Sequence, residues 1–185
     1  MLNPIKKNFR GIILVSGPTK SGKSQLAEFL IKEQDSITYI ATSKPRQNDK
    51  EWQKRILIHK NRRPDTWNLV EYPIDICDVI DSLNGNQSIL LDSLGGIVEQ
   101  HIMDKNDQWQ NFQFKFVNCL LNKNVGIIIV SEEVGWGVVP STPLGHIFRE
   151  RLSNLSFLLS RHSLKKWLAI NGMAIDIDKV GTIIP

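Results

Sequence analysis

The chain has 185 residues, a length that suits one domain, and we expect a single domain over residues 1–185. Hydrophobic residues make up 41% and charged residues 23%, which is ordinary globular usage and excludes a disordered or collagen-like chain. The net charge is +4, and no apolar run approaches the ~20 residues that a membrane-spanning helix needs, so we expect a cytoplasmic protein without a membrane span.

Six short apolar runs predict the strands of a buried sheet. They lie at residues 11–16, 37–41, 67–70, 88–91, 125–130 and 167–170. Helical spacing of apolar residues begins near Lys23 and recurs most clearly over 107–121, where an aromatic stripe is typical of a core-facing helix. Strands that alternate with helices predict an α/β fold of three layers, α/β/α, around a mostly parallel sheet.

The strongest motif follows the first predicted strand. Residues 17–24 read Gly-Pro-Thr-Lys-Ser-Gly-Lys-Ser and match G-x-x-x-x-G-K-[ST], the phosphate loop of P-loop nucleotide-binding proteins. Inward-facing backbone N–H groups and the start of the following helix predict a triphosphate site. We expect Lys23 to neutralise the β- and γ-phosphates and the Ser24 hydroxyl to coordinate Mg²⁺.

A second metal-site acid is expected at the end of another buried strand. Asp92 follows such a run, and we assign it to the magnesium shell, through Ser24 or through water. A helix N-cap is the alternative role for this aspartate. Residues 92–95 also fit the D-x-x-G of switch GTPases, but no N-K-x-D guanine-reading segment follows a late strand, which disfavours a signalling GTPase.

The basic excess of the chain is confined to residues 44–63. This segment carries eight Lys or Arg and two acids, a charge of +6, whereas the remaining residues sum to −2. Such a segment is typical of a surface that binds phosphates, on a nucleotide or on nucleic acid, and a solvated helix face is the alternative. If residues 51–62 are helical, His59 shares a face with Ile56 amid these arginines, a setting that favours a neutral, nucleophilic imidazole. A packed, non-catalytic histidine is the alternative.

Neither the cysteines nor the histidines predict a metal site. Cys77 and Cys119 are far apart in sequence and have no histidine or cysteine at zinc-ligand spacing beside them. The four histidines are equally scattered. We therefore expect both cysteines to be buried thiols.

Several separated blocks give the chain a resemblance to a known family. After the phosphate loop these are residues 39–43 (Tyr-Ile-Ala-Thr-Ser), 55–56 with 59–60, 63–64 with 67 and 71, 90–94, 130–140 and 148–149. In their order and spacing, the chain resembles the bifunctional adenosylcobinamide kinase and adenosylcobinamide-phosphate guanylyltransferase family of cobalamin assembly. The resemblance runs to about Arg149 and implies a P-loop NTPase fold of the RecA-like type.

The resemblance also implies roles for individual residues. His59 matches the histidine that the family guanylylates, and with Lys23 it is the expected catalytic residue. Ser24 and Asp92 are the expected magnesium ligands. The expected nucleotide-binding residues are Gly17, Pro18, Thr19, Lys20, Ser21, Gly22, Lys23, Ser24, Thr42, Ser43, Arg55, Arg62, Arg63, Glu71 and Asp92.

The family chemistry implies two reactions that require Mg²⁺. A nucleoside triphosphate, GTP or ATP, phosphorylates the hydroxyl of adenosylcobinamide. His59 then takes GMP from GTP, releases pyrophosphate and passes GMP to adenosylcobinamide phosphate. The implied partners are a corrinoid and a nucleotide, and the family resemblance further suggests a homo-oligomer, a trimer.

Two other readings of the residues stay open at this point. In one, a small-molecule kinase uses the same loop without the transferase step, and the arginines clamp phosphates. In the other, the basic segment is a nucleic-acid surface on a non-catalytic nucleotide-binding module. Aromatic residues are few in that segment, which argues against a base-stacking platform and leads us to expect no nucleic-acid partner.

Overall fold

The computed structural model describes residues 2–46 and 48–184, without the side chains of residues 52 and 55. Within that part of the chain, seven strands form one sheet in the order β3-β2-β4-β5-β1-β6-β7. The strands are β1 (Gly11–Gly17), β2 (Ile37–Ala41), β3 (Asn68–Glu71), β4 (Ser88–Asp92), β5 (Gly126–Glu132), β6 (Ser163–Ile170) and β7 (Met173–Asp176). Neighbouring strands pair in parallel, except that β7 runs antiparallel to β6.

Helices connect the strands and cover both faces of the sheet. They are α1 (Lys23–Ile31), α2 (Lys50–Arg62), α3 (Ile76–Ser82), α4 (Leu94–Gln100), α5 (Asn106–Asn122), α6 (Pro143–His162) and α7 (Ile177–Val180). Every predicted strand is present, with ends shifted by one or two residues except in β6, which begins four residues earlier than predicted. The helix predicted over residues 107–121 is α5.

Alternate residues of the strands build two separate cores. Ile12 and Leu14 of β1 face a cluster that includes the buried sides of α3, α4, α5 and α6. Ile13 and Val15, one residue out of phase, face a second cluster with α1. The sheet is therefore the middle layer, and the predicted three-layer α/β/α fold with a mostly parallel sheet is confirmed.

The topology brings the predicted site residues to one edge of the sheet. Strands β1, β2, β4 and β5 are parallel neighbours, so their carboxyl ends lie together. The phosphate loop follows β1, Thr42 follows β2, and Asp92 and Glu132 end β4 and β5. Among the described residues, the helices are too short or too polar to cross a membrane.

Candidate active site

The phosphate loop has the backbone geometry that its glycines predict. Gly22 has φ +93°, in the left-handed region that favours glycine, and begins α1. Gly17 lies so close to β6 that a Cβ there would be 2.3 Å from the Ala169 carbonyl oxygen. Lys23 and Ser24 open the helix and are buried, and the Lys23 amine donates a hydrogen bond of 3.2 Å to the Pro18 carbonyl. The amine is thus held over the loop, where it can meet a phosphate.

His59 lies on α2, between two cavities. One cavity, of about 770 Å³, is formed by the phosphate loop and α2, and it includes Lys23 and Ser24 in its lining. The other, of about 380 Å³, includes Asp92. His59 lines both, and its side chain is 16% exposed. The imidazole is therefore accessible from the place where a triphosphate would bind.

Two charged groups flank Nδ1 of His59. The Arg62 Nη2 atom lies 3.3 Å from it, and because a guanidinium only donates, this contact is a hydrogen bond when Nδ1 is unprotonated. The Asp92 Oδ2 atom lies 3.7 Å away, within ion-pair range and beyond a normal hydrogen bond. One carboxylate and one guanidinium thus face the same ring nitrogen.

Arg62 is itself held by α1. Its Nε and Nη2 atoms each donate a 2.9 Å hydrogen bond to the Glu28 carboxylate, the bidentate geometry that suits a guanidinium. Burial raises the pKa of Glu28, although Arg62 acts in the opposite direction. The hydrogen bonds to Glu28 raise the pKa of Arg62, which stays charged. This pair joins the helix that carries His59 to the helix that follows the phosphate loop.

Asp92 is oriented by a buried tyrosine. The Tyr39 hydroxyl donates a 2.6 Å hydrogen bond to Asp92 Oδ2, and the Arg63 guanidinium stacks over the tyrosine ring at 4.2 Å. Burial, followed by the negative charge of Asp92, raises the pKa of Tyr39 well above its ordinary value. Tyr39 therefore remains a hydrogen-bond donor at neutral pH and keeps the Asp92 carboxylate beside His59.

More carboxylates surround the second cavity. Glu99 accepts a 3.2 Å hydrogen bond from Arg46, which lines both cavities. Glu132 accepts hydrogen bonds from the Ser93 hydroxyl and, at 3.0 Å, from the Gly95 N–H, so it fixes the start of α4 to the end of β5. The cavity that contains Asp92 is consequently rich in hydrogen-bond acceptors.

Most of the predicted residues line one of the two cavities, whereas Gly17, Pro18 and Thr42 line neither. Thr19 to Ser24 and Arg62 line the phosphate-loop cavity, whereas Ser43, Arg63, Glu71 and Asp92 line the other. The structure therefore puts Ser24 and Asp92 in different cavities. Thr42 is buried and lines neither, because its hydroxyl donates to the Ser93 carbonyl and accepts from the Ser93 N–H. The side chain of Arg55 lies outside the described residues.

Sequence patterns assign no role to Glu28, Tyr39 or Arg46, which the structure brings to the site. A tyrosine within an otherwise apolar buried strand is a signal that could have identified Tyr39, because a buried hydroxyl needs a partner. The pair of Glu28 and Arg62 spans 34 positions, and no sequence spacing would have indicated it.

A family model described as cobinamide kinase / cobinamide phosphate guanyltransferase matches residues 13–177. The chain belongs to this family. The match covers both cavities and extends through the residues after Arg149, where the resemblance of separate motifs ends. The prediction of an enzyme of this family is therefore confirmed.

Curated relatives agree with the family match. The chain is 29% identical to the "Bifunctional adenosylcobalamin biosynthesis protein CobU" of Escherichia coli (strain K12), with 90% of this chain and 99% of that protein covered. It is 30% identical to the protein of the same name from Salmonella typhimurium, with the same coverage. These relatives support a role in cobalamin biosynthesis for a nucleotide-binding transferase.

A solved protein from Pyrococcus horikoshii OT3 has a similar fold. It covers 96% of this chain and 93% of its own, with a TM-score of 0.53 and 10% sequence identity. At that identity the likeness concerns the fold alone.

Proposed function

We propose that the protein phosphorylates adenosylcobinamide with a nucleoside triphosphate and then transfers GMP from GTP to adenosylcobinamide phosphate through a guanylylated His59. The observation that supports this most is that His59 lines both the phosphate-loop cavity and the cavity of Asp92. One imidazole can then reach the α-phosphorus of a triphosphate whose outer phosphates lie on the loop. The word "bifunctional" in the names of the relatives fits two reactions.

In the kinase step the phosphate loop supplies charge and alignment. Lys23 neutralises charge on the β- and γ-phosphates, and the N–H groups of residues 19–24 hold their oxygens. The γ-phosphorus then bonds to the substrate hydroxyl oxygen, which releases its proton to water. The bond to the β,γ-bridging oxygen breaks, and the nucleoside diphosphate leaves. Positioning and charge neutralisation provide most of the rate, since phosphoryl transfer needs little covalent help from the protein.

The donor set fits Mg²⁺ bound mainly by the substrate. Among the described residues there is no group of three or more His, Cys, Asp or Glu that could hold a metal ion, so no dedicated protein cage is present in that part of the chain. Mg²⁺ usually keeps several waters and takes substrate phosphate oxygens, and the buried Ser24 hydroxyl supplies the expected protein ligand. When bound, the ion offsets phosphate charge. Asp92 as a ligand through water stays a prediction.

In the transfer step His59 acts as the nucleophile. Attack by Nε2 requires the proton on Nδ1, so the Arg62 guanidinium must move away from this atom. Asp92 Oδ2, at 3.7 Å, is the carboxylate that then stabilises that tautomer and the charge on the ring. A bond forms from Nε2 to the α-phosphorus, and the bond to the α,β-bridging oxygen breaks, which releases pyrophosphate. A phosphate oxygen of adenosylcobinamide phosphate then attacks the same phosphorus and frees His59.

The second cavity suits the base of the nucleotide. A guanine ring presents N–H donors at N1 and N2, and the carboxylates of Asp92, Glu99 and Glu132 line this cavity as acceptors. Such an arrangement would favour GTP as the source of the nucleotidyl group. The nucleotide of the kinase step is not constrained by this argument.

The transfer mechanism is tested with GTP labelled at the α-phosphate. Incubation with Mg²⁺ and without corrinoid should give a labelled protein whose adduct is labile in acid and stable in alkali, as expected of a phosphoramidate. His59→Ala should abolish the label, whereas His162→Ala, an exposed histidine at the end of α6, should retain it. Label that persists in His59→Ala would refute the nucleophile. No adduct, together with phosphorylated adenosylcobinamide, would leave a kinase alone.

We also propose that the protein forms a homo-oligomer, a trimer on the resemblance of its motifs. Light scattering at several protein concentrations measures the mass in solution. A mass that equals one chain throughout would contradict the proposal.

A further inference from the structure

The fold brings the two cysteines of the chain together, 42 positions apart in sequence. Cys77 lies on α3 and is fully buried, whereas Cys119 lies on α5 and is half-buried rather than buried as expected. The Cys119 Sγ atom is 3.7 Å from the Cys77 carbonyl oxygen and 3.6 Å from Asp81 Oδ1. These contacts place the two thiols at the same level of the interface between α3 and α5.

Two polar contacts hold that interface in register on either side of the thiols. The Lys115 amine lies 2.9 Å from Asp75 Oδ2, two residues before Cys77 and one turn before Cys119. The Lys123 amine donates a 3.0 Å hydrogen bond to the Asp81 carbonyl, one turn beyond each cysteine. The two helices are thus fixed to each other at both ends of the pair.

The two thiols differ in their readiness to lose a proton. A hydrogen bond from the Cys119 thiol lowers the pKa of Cys77. The same hydrogen bond, together with burial, raises the pKa of Cys119. Cys77 is therefore the better thiolate and Cys119 the residue that holds the proton, which is the division of roles in a pair of attacking and resolving cysteines.

We propose that Cys77 and Cys119 form a redox site that hydrogen peroxide converts into an intramolecular disulfide between α3 and α5. A small oxidant is required because Cys77 is fully buried and its partner Cys119 is only half-buried. The Cys77 thiolate attacks one peroxide oxygen, the O–O bond breaks, and hydroxide leaves and takes up a proton as water. The Cys119 thiol loses its proton and attacks the Cys77 sulfur, and the oxygen of the sulfenic acid leaves as a second water.

Peroxide treatment of the folded protein tests this site. After the reaction is quenched, peptides containing residues 77 and 119 should be joined under non-reducing conditions, both free thiols should be lost, and dithiothreitol should restore them. The rate should not depend on protein concentration, since both sulfurs belong to one chain. In Cys119→Ser the joined peptides should be absent, and a sulfenic-acid reagent added as the protein is unfolded in urea should label Cys77 instead.

Three results would overturn the proposal. These are thiols that stay reduced in the folded protein but oxidise in urea, disulfides between chains only, and oxidation of each cysteine to sulfinic acid without a link. The site lies apart from both cavities, so GMP labelling of His59 can succeed or fail independently of it.

Discussion

Replacing Arg62 by methionine removes the charge that offsets Glu28 and should destabilise the protein strongly. The side chains of Glu28 and Arg62 are 12% and 26% exposed, so the pair is largely desolvated. Breaking a buried pair by removing one partner costs about 3–5 kcal/mol. Because water still reaches part of Arg62, we expect about 2–3 kcal/mol, a large share of the 5–15 kcal/mol that typically stabilises a domain.

The same helix provides a matched control in Lys54→Met. Lys54 pairs with Glu51 at 3.0 Å, but these side chains are 71% and 85% exposed, and such a surface pair contributes less than about 1 kcal/mol. Urea unfolding followed by circular dichroism measures both variants. Adding Glu28→Gln to Arg62→Met removes the uncompensated charge and should recover most of the loss. Equal losses of unfolding free energy in Arg62→Met and Lys54→Met would contradict a stabilising role for the buried pair of Glu28 and Arg62.

The pH dependence has a definite sign. The pKa of Glu28 is raised by burial in the folded state, so the folded protein binds this proton at a pH where the unfolded chain has released it. The Glu28 contribution to the free energy of unfolding therefore falls as pH rises from the ordinary glutamate range through the raised pKa. Without Arg62 the pKa of Glu28 rises further. The loss of unfolding free energy in Arg62→Met should therefore grow with pH and shrink on acidification. A cost that grows on acidification would contradict this assignment.

Three further substitutions, one of them with a matched control, probe Asp92, the phosphate loop and the core. Tyr39→Phe removes a hydrogen bond to the charged Asp92 carboxylate, which is worth about 1.5–3 kcal/mol. If Asp92 acts through His59, single-turnover guanylylation should slow by about ten- to a hundredfold. An unchanged rate would exclude this role of Asp92. Lys23→Ala should slow both reactions by about a hundredfold or more in steady-state assays, since it removes the positive charge that stabilises the negative charge developing on the phosphates. Loss of only one reaction would mean that the two reactions use separate phosphate sites. Phe116 is fully buried, and Phe116→Ala should lower the free energy of unfolding in urea by about 3–5 kcal/mol. Phe114 lies on the same helix but is 73% exposed, so Phe114→Ala should lower it by about 0.5 kcal/mol or less. Similar losses for the two variants would contradict the packing described for α5.

Local sequence signals predicted the parts of the fold that local chemistry determines. Apolar β-branched runs identified six of the seven described strands, all except β7, and G-x-x-x-x-G-K-[ST] identified the phosphate loop. The start of β6 was missed because residues 163–166 include two lysines, Lys165 and Lys166, whose amines pair with Asp176 and Asp178. Periodicity could not detect this segment, since its pairing partner β1 supplies the reason for its conformation.

Long-range pairs could not be predicted in the same way. The sequence indicated Asp92 as an acid at the end of a strand, which is correct, but its neighbours come from elsewhere: Tyr39 from β2 and His59 from α2. Which cavity an acid faces depends on the packing of helices over the sheet, and spacing in sequence contains no such information. The proposed link between Asp92 and magnesium rests on its position at the end of a strand and on the family resemblance, whereas its contact with His59 rests on the structure.

Peptide mapping by mass spectrometry determines whether His59 accepts GMP from GTP. The intact protein is incubated with GTP and Mg²⁺, digested at alkaline pH and compared with a sample to which adenosylcobinamide phosphate was then added. We expect one GMP on the peptide that contains residue 59. In the second sample this GMP should be lost from the peptide as the guanylylated corrinoid forms. Formation of that product while residue 59 remains unmodified under single-turnover conditions would contradict the account.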